Sequence, residues 1–490
     1  MLPYSLYNLM WSDPIMAVKI ADREHPAIDL PVIGADFIDE SFERVTDAPL
    51  IGGNSIRLLV DAAENYPAWM NAIRSAEDRI YFESYIIHDD EQGRIFADAL
   101  IEKAQQGVEV KLIYDWMGGF STSRRFWKRL MQGGVDVRCY NPPRLSDPLG
   151  VLSRDHRKCL VVDGRIAFVS GLCVGQDWVG NPSTNTPPWR DTGVEVTGPA
   201  VADVEHAFAD VWATMGPRIE PERLAKRSDI PDAGTSNVRI VKSAPSGAHI
   251  YRFDQLLAAA ARETMWLTDA YFVGVPSYLQ AMRSAAIDGV DVRVLVPQAT
   301  DIAIIRDTTR STYRSLLESG IRVFEWNGTM VHAKTAVFDG RFSRVGSSNM
   351  NIASWFGNYE LDVIVEDEDF GSQMNEMFLR DLENSTEIVL SDTTNRKPKN
   401  RRRGRKGGGS VRKATAGAIN AATSIGSAIA KKSHLGPAES RLLFFAGMIL
   451  LTYAILLAFF PRGASLPLIV LLLILAIPTL FKAIKSYRDH

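Results

Sequence analysis

Two copies of one short motif constrain this chain more than any other feature of its sequence. Along a strand, residues i and i+2 point to the same face, so His-x-Lys places a histidine beside a lysine. One copy would be weak evidence, but two copies in the same local context indicate a duplicated fold. The motif His-x-Lys-x-x-x-x-Asp occurs as His156, Lys158 and Asp163, and again as His332, Lys334 and Asp339.

The segments around the two motifs repeat one order of elements. Runs of β-branched and aromatic residues predict strands, which are 79–86, 107–114, 264–272 and 289–296. Apolar residues at helical spacing between them predict helices at 93–105 and 275–287. Glu83 and Asp269 fall at matching places in this comparison. Strand, helix and strand at this spacing predicts an α/β fold with right-handed crossovers.

Each half then ends in a predicted hairpin that begins within the motif. Residues 158–163 turn at Gly164 into 165–170, and residues 334–339 turn at Gly340 into 341–346. The Asp-Gly step at each turn is a strong hairpin signal. Residues 1–50 are less regular, and no chemistry is assigned to them.

The motif residues suit phosphoryl transfer. Two lysines can neutralise the non-bridging oxygens of a phosphodiester and stabilise the charge that develops on them. One neutral histidine can attack phosphorus and form a covalent phosphohistidine, while the other protonates the leaving alcohol and later deprotonates the incoming one. An unperturbed histidine titrates near ~6.5, so both roles are accessible near neutral pH. No carboxylate cluster with metal-ligand spacing accompanies the motifs, so neither a metal nor a cofactor is expected.

Charge divides the chain into two parts. The formal net charge of the whole chain is −3. However, 17 of the 55 Lys+Arg residues and only 2 of the 58 Asp+Glu residues lie from Arg396 onward. Residues 1–395 therefore carry −18 and the tail +15. Residues 1–395, called the body below, are so acidic that nucleic-acid binding is not expected.

The three cysteines (Cys139, Cys159 and Cys173) include no Cys-x-x-Cys pair, which argues against a disulfide scaffold or structural zinc and fits a reduced compartment.

The tail predicts a membrane hairpin. Residues 442–460 and 464–481 contain no charge, and a membrane-spanning helix needs about 20 apolar residues. Basic residues precede the first segment and follow the second, while the turn has only Arg462, so the catalytic body is expected in the cytoplasm. The alternative is a pair of buried core helices. The basic residues before the first segment either set the topology or bind anionic lipid headgroups.

The first residues, MLPYSLYNLMWSD, lack a basic region and a long apolar stretch, so no signal peptide is expected.

Across residues 50–390 the sequence resembles the phospholipase D superfamily and, within it, the bacterial cardiolipin synthases. The resemblance implies a duplicated phospholipase D fold, with two α/β halves about a pseudo-two-fold axis and both motifs in one site, followed by the C-terminal transmembrane helical hairpin. The expected division is an extension (1–50), a first half (51–230), a second half (231–391), a basic linker (392–440) and the membrane hairpin (441–490).

The resemblance also implies roles for residues outside the motif. Ser347 and Asn349, in Gly-Ser-Ser-Asn, match the family's phosphate contacts. Asp191, in Trp-Arg-Asp-Thr, and Glu360, in Asn-Tyr-Glu, are candidates to orient the two histidines by accepting a ring N–H. The first half departs from the pattern because Cys173 stands where the family usually has asparagine, and a thiol is a weak donor. The phosphate contact from that half is therefore in doubt, and core packing is an alternative role for this thiol.

The resemblance favours His156 as the nucleophile and His332 as the acid and base, with Asp163 and Asp339 supporting the local fold and charge balance. The expected reaction makes cardiolipin from two phosphatidylglycerol molecules and releases glycerol. A hydrolytic phospholipase D is the near alternative, and a nuclease or a non-enzymatic scaffold is less expected. Phosphatidylethanolamine or another alcohol could also be the acceptor. The expected location is the bacterial inner membrane, with phospholipid and membrane as partners and no nucleic acid; the oligomeric state stays open.

Overall fold

The computed structural model describes residues 35–143 and 153–390, together with the isolated positions Met448 and Thr452. The helices are α1 (Ala35–Thr46), α2 (Asp61–Ser75), α3 (Glu91–Gln105), α4 (Arg124–Gln132), α5 (Gln176–Val179), α6 (Val201–Ala213), α7 (His249–Ala260), α8 (Pro276–Ile287), α9 (Ala303–Leu317) and α10 (Glu368–Glu383). Of the described residues, 35–41 belong to one compact unit, and 42–143 together with 153–390 belong to the other.

Fifteen strands of the described residues form one sheet. They are β1 (Ile51–Val60), β2 (Arg79–Ser84), β3 (Glu109–Asp115), β4 (Asp136–Tyr140), β5 (Lys158–Val162), β6 (Ile166–Ser170), β7 (Thr192–Thr197), β8 (Ser236–Ser243), β9 (Thr264–Asp269), β10 (Asp291–Pro297), β11 (Arg322–Trp326), β12 (Lys334–Phe338), β13 (Phe342–Gly346), β14 (Glu360–Glu366) and β15 (Ser385–Ile388). Their order is β15-β11-β10-β9-β12-β13-β14-β8-β1-β7-β6-β5-β2-β3-β4.

This order repeats one pattern on either side of the central β8–β1 pair. From β1 outward the neighbours are β7, β6, β5, β2, β3 and β4; from β8 outward they are β14, β13, β12, β9, β10 and β11. The strands β2, β3 and β4 are parallel to one another, as are β9, β10 and β11, while the hairpin strands pair antiparallel. The α/β class predicted from the sequence is confirmed.

Helices cover both faces of the sheet. Helices α6 and α10 pack on one face over a shared apolar core that draws on strands from both sides of the centre. On the other face, α2, α3 and α4 cover the β2–β3 side, and α7 and α8 cover the β9–β10 side. A sheet covered on both faces explains why its strands are apolar along most of their length, without strict alternation.

The predicted elements and turns are confirmed with small shifts at their ends. The helices predicted at 93–105 and 275–287 are α3 and α8, and both hairpins form around their Asp-Gly steps. Asp163 and Gly164 have φ of +53° and +63°, and Asp339 and Gly340 have +50° and +62°. Two successive positive φ values define the type I′ turn, whose twist matches that of the flanking strands.

The expected match between Glu83 and Asp269 is wrong by one residue. Lys158 pairs with Ser84 across β5 and β2, whereas Lys334 pairs with Asp269 across β12 and β9. Register therefore makes Ser84 the counterpart of Asp269. Comparing the two letter strings could not detect this shift, because register is set by hydrogen bonds between strands that are distant in sequence.

The predicted membrane hairpin, 441–490, and the basic linker, 392–440, lie outside the described residues apart from the two isolated positions. Among the helices that the structure describes, none combines the length and the apolar character needed to cross a membrane.

Candidate active site

The two motifs lie at the carboxyl ends of the parallel strands. Lys158 begins β5 opposite the last residue of β2, and Lys334 begins β12 opposite the last residue of β9. His156 and His332 come two residues earlier, just before each strand. The carboxyl end of a strand in an open α/β sheet is the usual place for a ligand site.

Short backbone bridges join the histidine segments to the opposite half of the sequence. The His156 N–H donates to the Tyr359 carbonyl at 2.9 Å, and the Tyr359 N–H donates to the Arg154 carbonyl at 2.8 Å. In the second half, the His332 N–H donates to the Arg190 carbonyl at 2.6 Å. His156 is thus bound by the residue just before Glu360, and His332 by the residue just before Asp191. In both cases the carboxylate belongs to the other half.

The side chains repeat this exchange. Nδ1 of His156 lies 2.9 Å from Oε2 of Glu360, and Nδ1 of His332 lies 2.7 Å from Oδ2 of Asp191. Both carboxylates are fully buried. A carboxylate that accepts the Nδ1–H leaves the lone pair on Nε2, the atom that can attack or exchange a proton. The predicted partners of the histidines are therefore within hydrogen-bonding distance of them.

Both lysines are buried with the histidines. Lys158 and Lys334 are only 2% and 1% exposed, and each donates to the carbonyl of its own motif histidine. Their ammonium groups lie 5.2 and 5.7 Å from the ring centres of Tyr85 and Tyr271, where cation–π attraction operates. Two buried cations with aromatic walls form a site suited to an anion such as a phosphodiester.

The electrostatic environment favours the neutral form of both imidazoles. Burial, and then Lys334, lower the pKa of His332 to about 4 against the opposing effect of Asp191. Burial also lowers the pKa of His156, and both lysines act in the same direction. The effect of Lys334 on His156, and of Lys158 on His332, indicates that the two motifs share one electrostatic site. Burial lowers the pKa of Lys334 to about 8, with Lys158 contributing.

The two carboxylates are oriented by different donors. Glu360 accepts the Ser347 hydroxyl at 2.5 Å and the Asn358 amide at 3.3 Å. Asp191 instead accepts the Trp178 indole N–H at 2.9 Å and the Thr192 backbone N–H at 2.8 Å. The hydroxyl of Ser347 is thus engaged with a carboxylate, and its predicted phosphate contact stays a prediction.

The surroundings of His332 are more aromatic than those of His156. The rings of Trp178 and Trp189 lie 5.6 Å from the His332 ring, and Tyr271 lies 5.9 Å away. At His156, Tyr85 makes an edge contact at 5.0 Å. Aromatic walls reduce the space for water around a reacting imidazole.

The predicted phosphate contacts differ between the halves. Asn349 is buried, and its Oδ1 has no hydrogen-bond partner among the described residues. Cys173 occupies the matching place after the first motif and is also buried, within an apolar cluster. Its thiol is free, and burial raises its pKa, so it stays protonated near neutral pH.

The motif aspartates lie at the far end of the hairpins from the histidines. Asp163 accepts the backbone N–H groups of residues 77, 78 and 79 at 2.9, 2.8 and 2.8 Å. Asp339 accepts those of residues 262, 263 and 264 at 2.9, 2.8 and 2.9 Å. Each side chain therefore ties its hairpin turn to the start of the neighbouring parallel strand, β2 or β9. The structure does not bring these two aspartates to the histidines.

Sequence reasoning missed two buried arginines that join the halves. Arg157, between the first motif's histidine and lysine, donates to the carbonyls of Glu360, Ala207 and Ser243 at 3.1, 2.6 and 3.0 Å. Arg190 forms a two-point ion pair with Asp381 at 2.8 and 2.9 Å. Arg157 stands in the polar stretch Arg-Asp-His-Arg-Lys that leads into β5, so no local pattern marked it as buried.

Within the described ranges, no group of three or more His, Cys, Asp or Glu side chains is arranged to hold a metal ion.

Comparison with known families agrees with this geometry. A family described as "Cardiolipin synthase, PLD-like domain" matches residues 69–176 and 255–382, one segment around each motif. Cardiolipin synthase A of Pseudomonas fluorescens is 32% identical over 348 residues, which cover 70% of this chain and 72% of that relative. Cardiolipin synthase of Alkalihalophilus pseudofirmus is 30% identical over 353 residues, covering 71% and 70%.

Among solved structures, the phosphatidylserine synthase of Haemophilus influenzae superimposes with a TM-score of 0.56 at 15% sequence identity. The match covers 71% of this chain and 92% of that one. At this identity the likeness concerns the fold.

Proposed function

The chain belongs to the cardiolipin synthase family with its phospholipase D-like domain, and on that premise we propose that it makes cardiolipin from two phosphatidylglycerol molecules. The enzyme is a phospholipase D-type phosphatidyltransferase. One observation supports this chemistry above the others: two histidine–carboxylate pairs, each formed across the halves, surround two buried lysines. That arrangement provides a nucleophile, a proton donor and charge stabilisation for a phosphodiester.

In the proposed first step, Nε2 of His156 attacks the phosphorus of one phosphatidylglycerol. The bond from phosphorus to the glycerol oxygen breaks, and His332 gives that oxygen a proton. In the second step, a hydroxyl of another phosphatidylglycerol gives its proton to His332 and attacks phosphorus, and the phosphorus–nitrogen bond breaks. The number of phosphate esters is unchanged, so no nucleotide is consumed.

Substrate binding favours the protonated form of His332 that this mechanism needs, and the proton comes from solvent. In the free site, burial and the lysine ammonium group lower the pKa of His332 to about 4. A bound phosphodiester anion offsets the lysine charges and so raises the pKa of the histidines again. The aromatic residues around His332 limit water, which favours an alcohol over hydrolysis of the intermediate.

The remaining expectations from the sequence join this proposal. We take residues 51–230 and 231–391 as two copies of one unit about a pseudo-two-fold axis, which the repeated strand order supports. The body carries −18 over residues 1–395, which argues against a nuclease. The apolar segments of 441–490 would anchor the enzyme in the inner membrane, with the body in the cytoplasm.

The test uses the purified, detergent-solubilised full chain and phosphatidylglycerol labelled in its headgroup glycerol and acyl chains. Cardiolipin and free glycerol in equal amounts support the proposal, and H156A should yield neither. Phosphatidic acid as the only lipid product would make the protein a hydrolase and overturn the proposal. Absence of turnover would exclude phosphatidylglycerol as donor, and a nucleic-acid cleavage assay would follow.

A further inference from the structure

Exposed apolar and basic side chains occur together where the chain leaves β3. The loop after β3 forms a short 3₁₀ turn, Gly118–Ser121, and exposes Met117 by 48% and Phe120 by 55%. Helix α4 follows directly and buries only its apolar face. We call six residues of this region the docking patch: Trp116, Met117, Phe120, Arg124, Arg125 and Lys128.

One carboxylate fixes this loop relative to the histidine site. Oδ1 of Asp115 accepts the N–H of Met117 at 2.7 Å, and its Oδ2 accepts the N–H of Asp155 at 3.0 Å. Asp155 directly precedes His156. The docking patch and the first catalytic segment are thus held by the same buried side chain.

A close approach of backbone reinforces this position. Gly118 packs on Tyr85 so tightly that a Cβ there would lie 1.9 Å from the Tyr85 carbonyl oxygen. The Tyr85 ring in turn lies 5.0 Å from the His156 ring. The exposed loop is therefore separated from the reacting imidazole by a single side chain.

The charge of this region is opposite to that of the body. Residues 116–132 contain four basic residues and no acidic one, although residues 1–395 carry −18. Arg129 pairs with Asp98. Over residues 35–143 and 153–390, Arg124, Arg125 and Lys128 form no ion pair within 4.0 Å, although Arg125 is near enough to Asp89 to help lower the pKa of that carboxyl. A net positive charge beside exposed apolar side chains complements a surface of anionic headgroups over acyl chains.

The second half presents an apolar residue at the same edge of the sheet. Ile304 lies near the start of α9, in the connection that leaves the carboxyl end of β10, and is 38% exposed. This connection corresponds in the strand order to the one after β3. Apolar side chains therefore occur on both sides of the site.

We propose that the docking patch holds the catalytic body on an anionic bilayer, with Met117 and Phe120 at the boundary between headgroups and acyl chains. A phospholipid headgroup then reaches the lysines and histidines while its acyl chains stay in the membrane. This inference rests on the proposed function only in taking a membrane lipid as the substrate. It concerns the body, apart from any anchor in residues 441–490.

The test places an environment-sensitive fluorophore on the full chain at F120C and, as the control, at I287C. Ile287 is 69% exposed at the end of α8, by the amino ends of the parallel strands and so away from the site. Both variants carry H332A to prevent turnover, and the parent without an added cysteine corrects for labelling of native thiols. Vesicles contain phosphatidylcholine alone or with phosphatidylglycerol, and a nitroxide-bearing lipid reports contact by quenching.

We expect quenching at position 120 in the anionic vesicles, little in the neutral ones and none at position 287. In enzyme with native cysteines and histidines, R124E/R125E/K128E should raise the KM for vesicle substrate at least about tenfold, since each basic residue near the surface contributes substantially. Turnover of dispersed short-chain phosphatidylglycerol should stay within about twofold.

Three outcomes would overturn the inference: no quenching at 120, equal quenching at both positions, or quenching that the charge reversal leaves unchanged. Shielding of the fluorophore by added single-stranded RNA but not by vesicles would assign the patch to nucleic acid and also overturn it. If the short-chain substrate turns over but the fluorophore at position 120 is never quenched, the docking inference is wrong and the proposed function still holds. If quenching occurs but no phosphatidylglycerol turns over, the proposed function fails and docking is supported.

Discussion

His156 and Glu360 stand 204 positions apart in the chain, and their side chains meet with Nδ1 2.9 Å from Oε2. The second pair, His332 and Asp191, spans 141 positions in the opposite sense, at 2.7 Å. Each histidine thus takes its carboxylate from the other half. Neither motif histidine is paired with a carboxylate of its own half, so the two halves are chemically dependent on each other.

The first prediction concerns these carboxylates. E360Q and D191N should each lower kcat by about 10²–10⁴, because a neutral amide no longer holds the imidazole in the required tautomer. Steady-state assays on phosphatidylglycerol measure this effect. E366Q, at the outer end of the same strand as Glu360, should keep nearly full activity. A normal kcat in E360Q would show that the crossed pairing has no catalytic role.

Replacing His156 and replacing His332 should block different steps of the reaction. H156A and H332A should each abolish turnover of phosphatidylglycerol. With a phosphodiester whose leaving group is a nitrophenolate, no proton donor is needed at departure. H332A should then still release nitrophenol in one burst and accumulate phosphoenzyme, whereas H156A should not. A burst in H156A but not in H332A would exchange the two roles.

The low pKa of Lys334 should reduce enzyme activity at alkaline pH. Burial lowers the pKa of Lys334 to about 8, so the ammonium is charged below that pH and neutral above it. We expect kcat/KM, which reports the free enzyme, to fall as the pH rises through about 8. In K334R the remaining activity should lose this decline, because a guanidinium stays charged. An unchanged decline in K334R would assign it to another group.

The motif aspartates should matter for stability. D163N and D339N keep a residue type that tolerates positive φ but lose charge-assisted bonds to three N–H groups. We expect each to lower the free energy of unfolding by about 1–3 kcal/mol, measured by urea denaturation in detergent. The kcat of the folded fraction should stay within about threefold. A large loss of kcat at unchanged stability would place these aspartates in the chemistry instead.

Phosphate binding should be asymmetric. Asn349 is buried and its side-chain NH₂ can donate to a phosphate oxygen, whereas Cys173, at the matching place, packs in an apolar cluster and is a weak donor. N349A should raise the KM about tenfold, the value of one lost hydrogen bond to a charged group. C173A should change the KM less than twofold and cost only packing energy. Equal effects of the two changes would contradict the asymmetry.

Much of the fold was predictable because its signals are local. Strands β2, β3, β9 and β10, helices α3 and α8, and both hairpins follow from apolar spacing and Asp-Gly steps within short windows. The motif residues were also named from their local pattern, and the candidate carboxylates from the resemblance to the family. The alignment of Glu83 with Asp269 failed because a one-residue register shift changes no local pattern.

The amino-acid sequence was sufficient to predict the α/β class and the repeated order of elements, and to propose histidine and lysine as the reacting groups. Only the tertiary structure decided which histidine meets which carboxylate, and which backbone N–H groups Asp163 accepts. It also revealed that Arg157 and Arg190 join the halves. The reason is physical: a short motif encodes local conformation and chemistry, whereas pairing across the halves depends on how the two parts of one sheet meet at its centre.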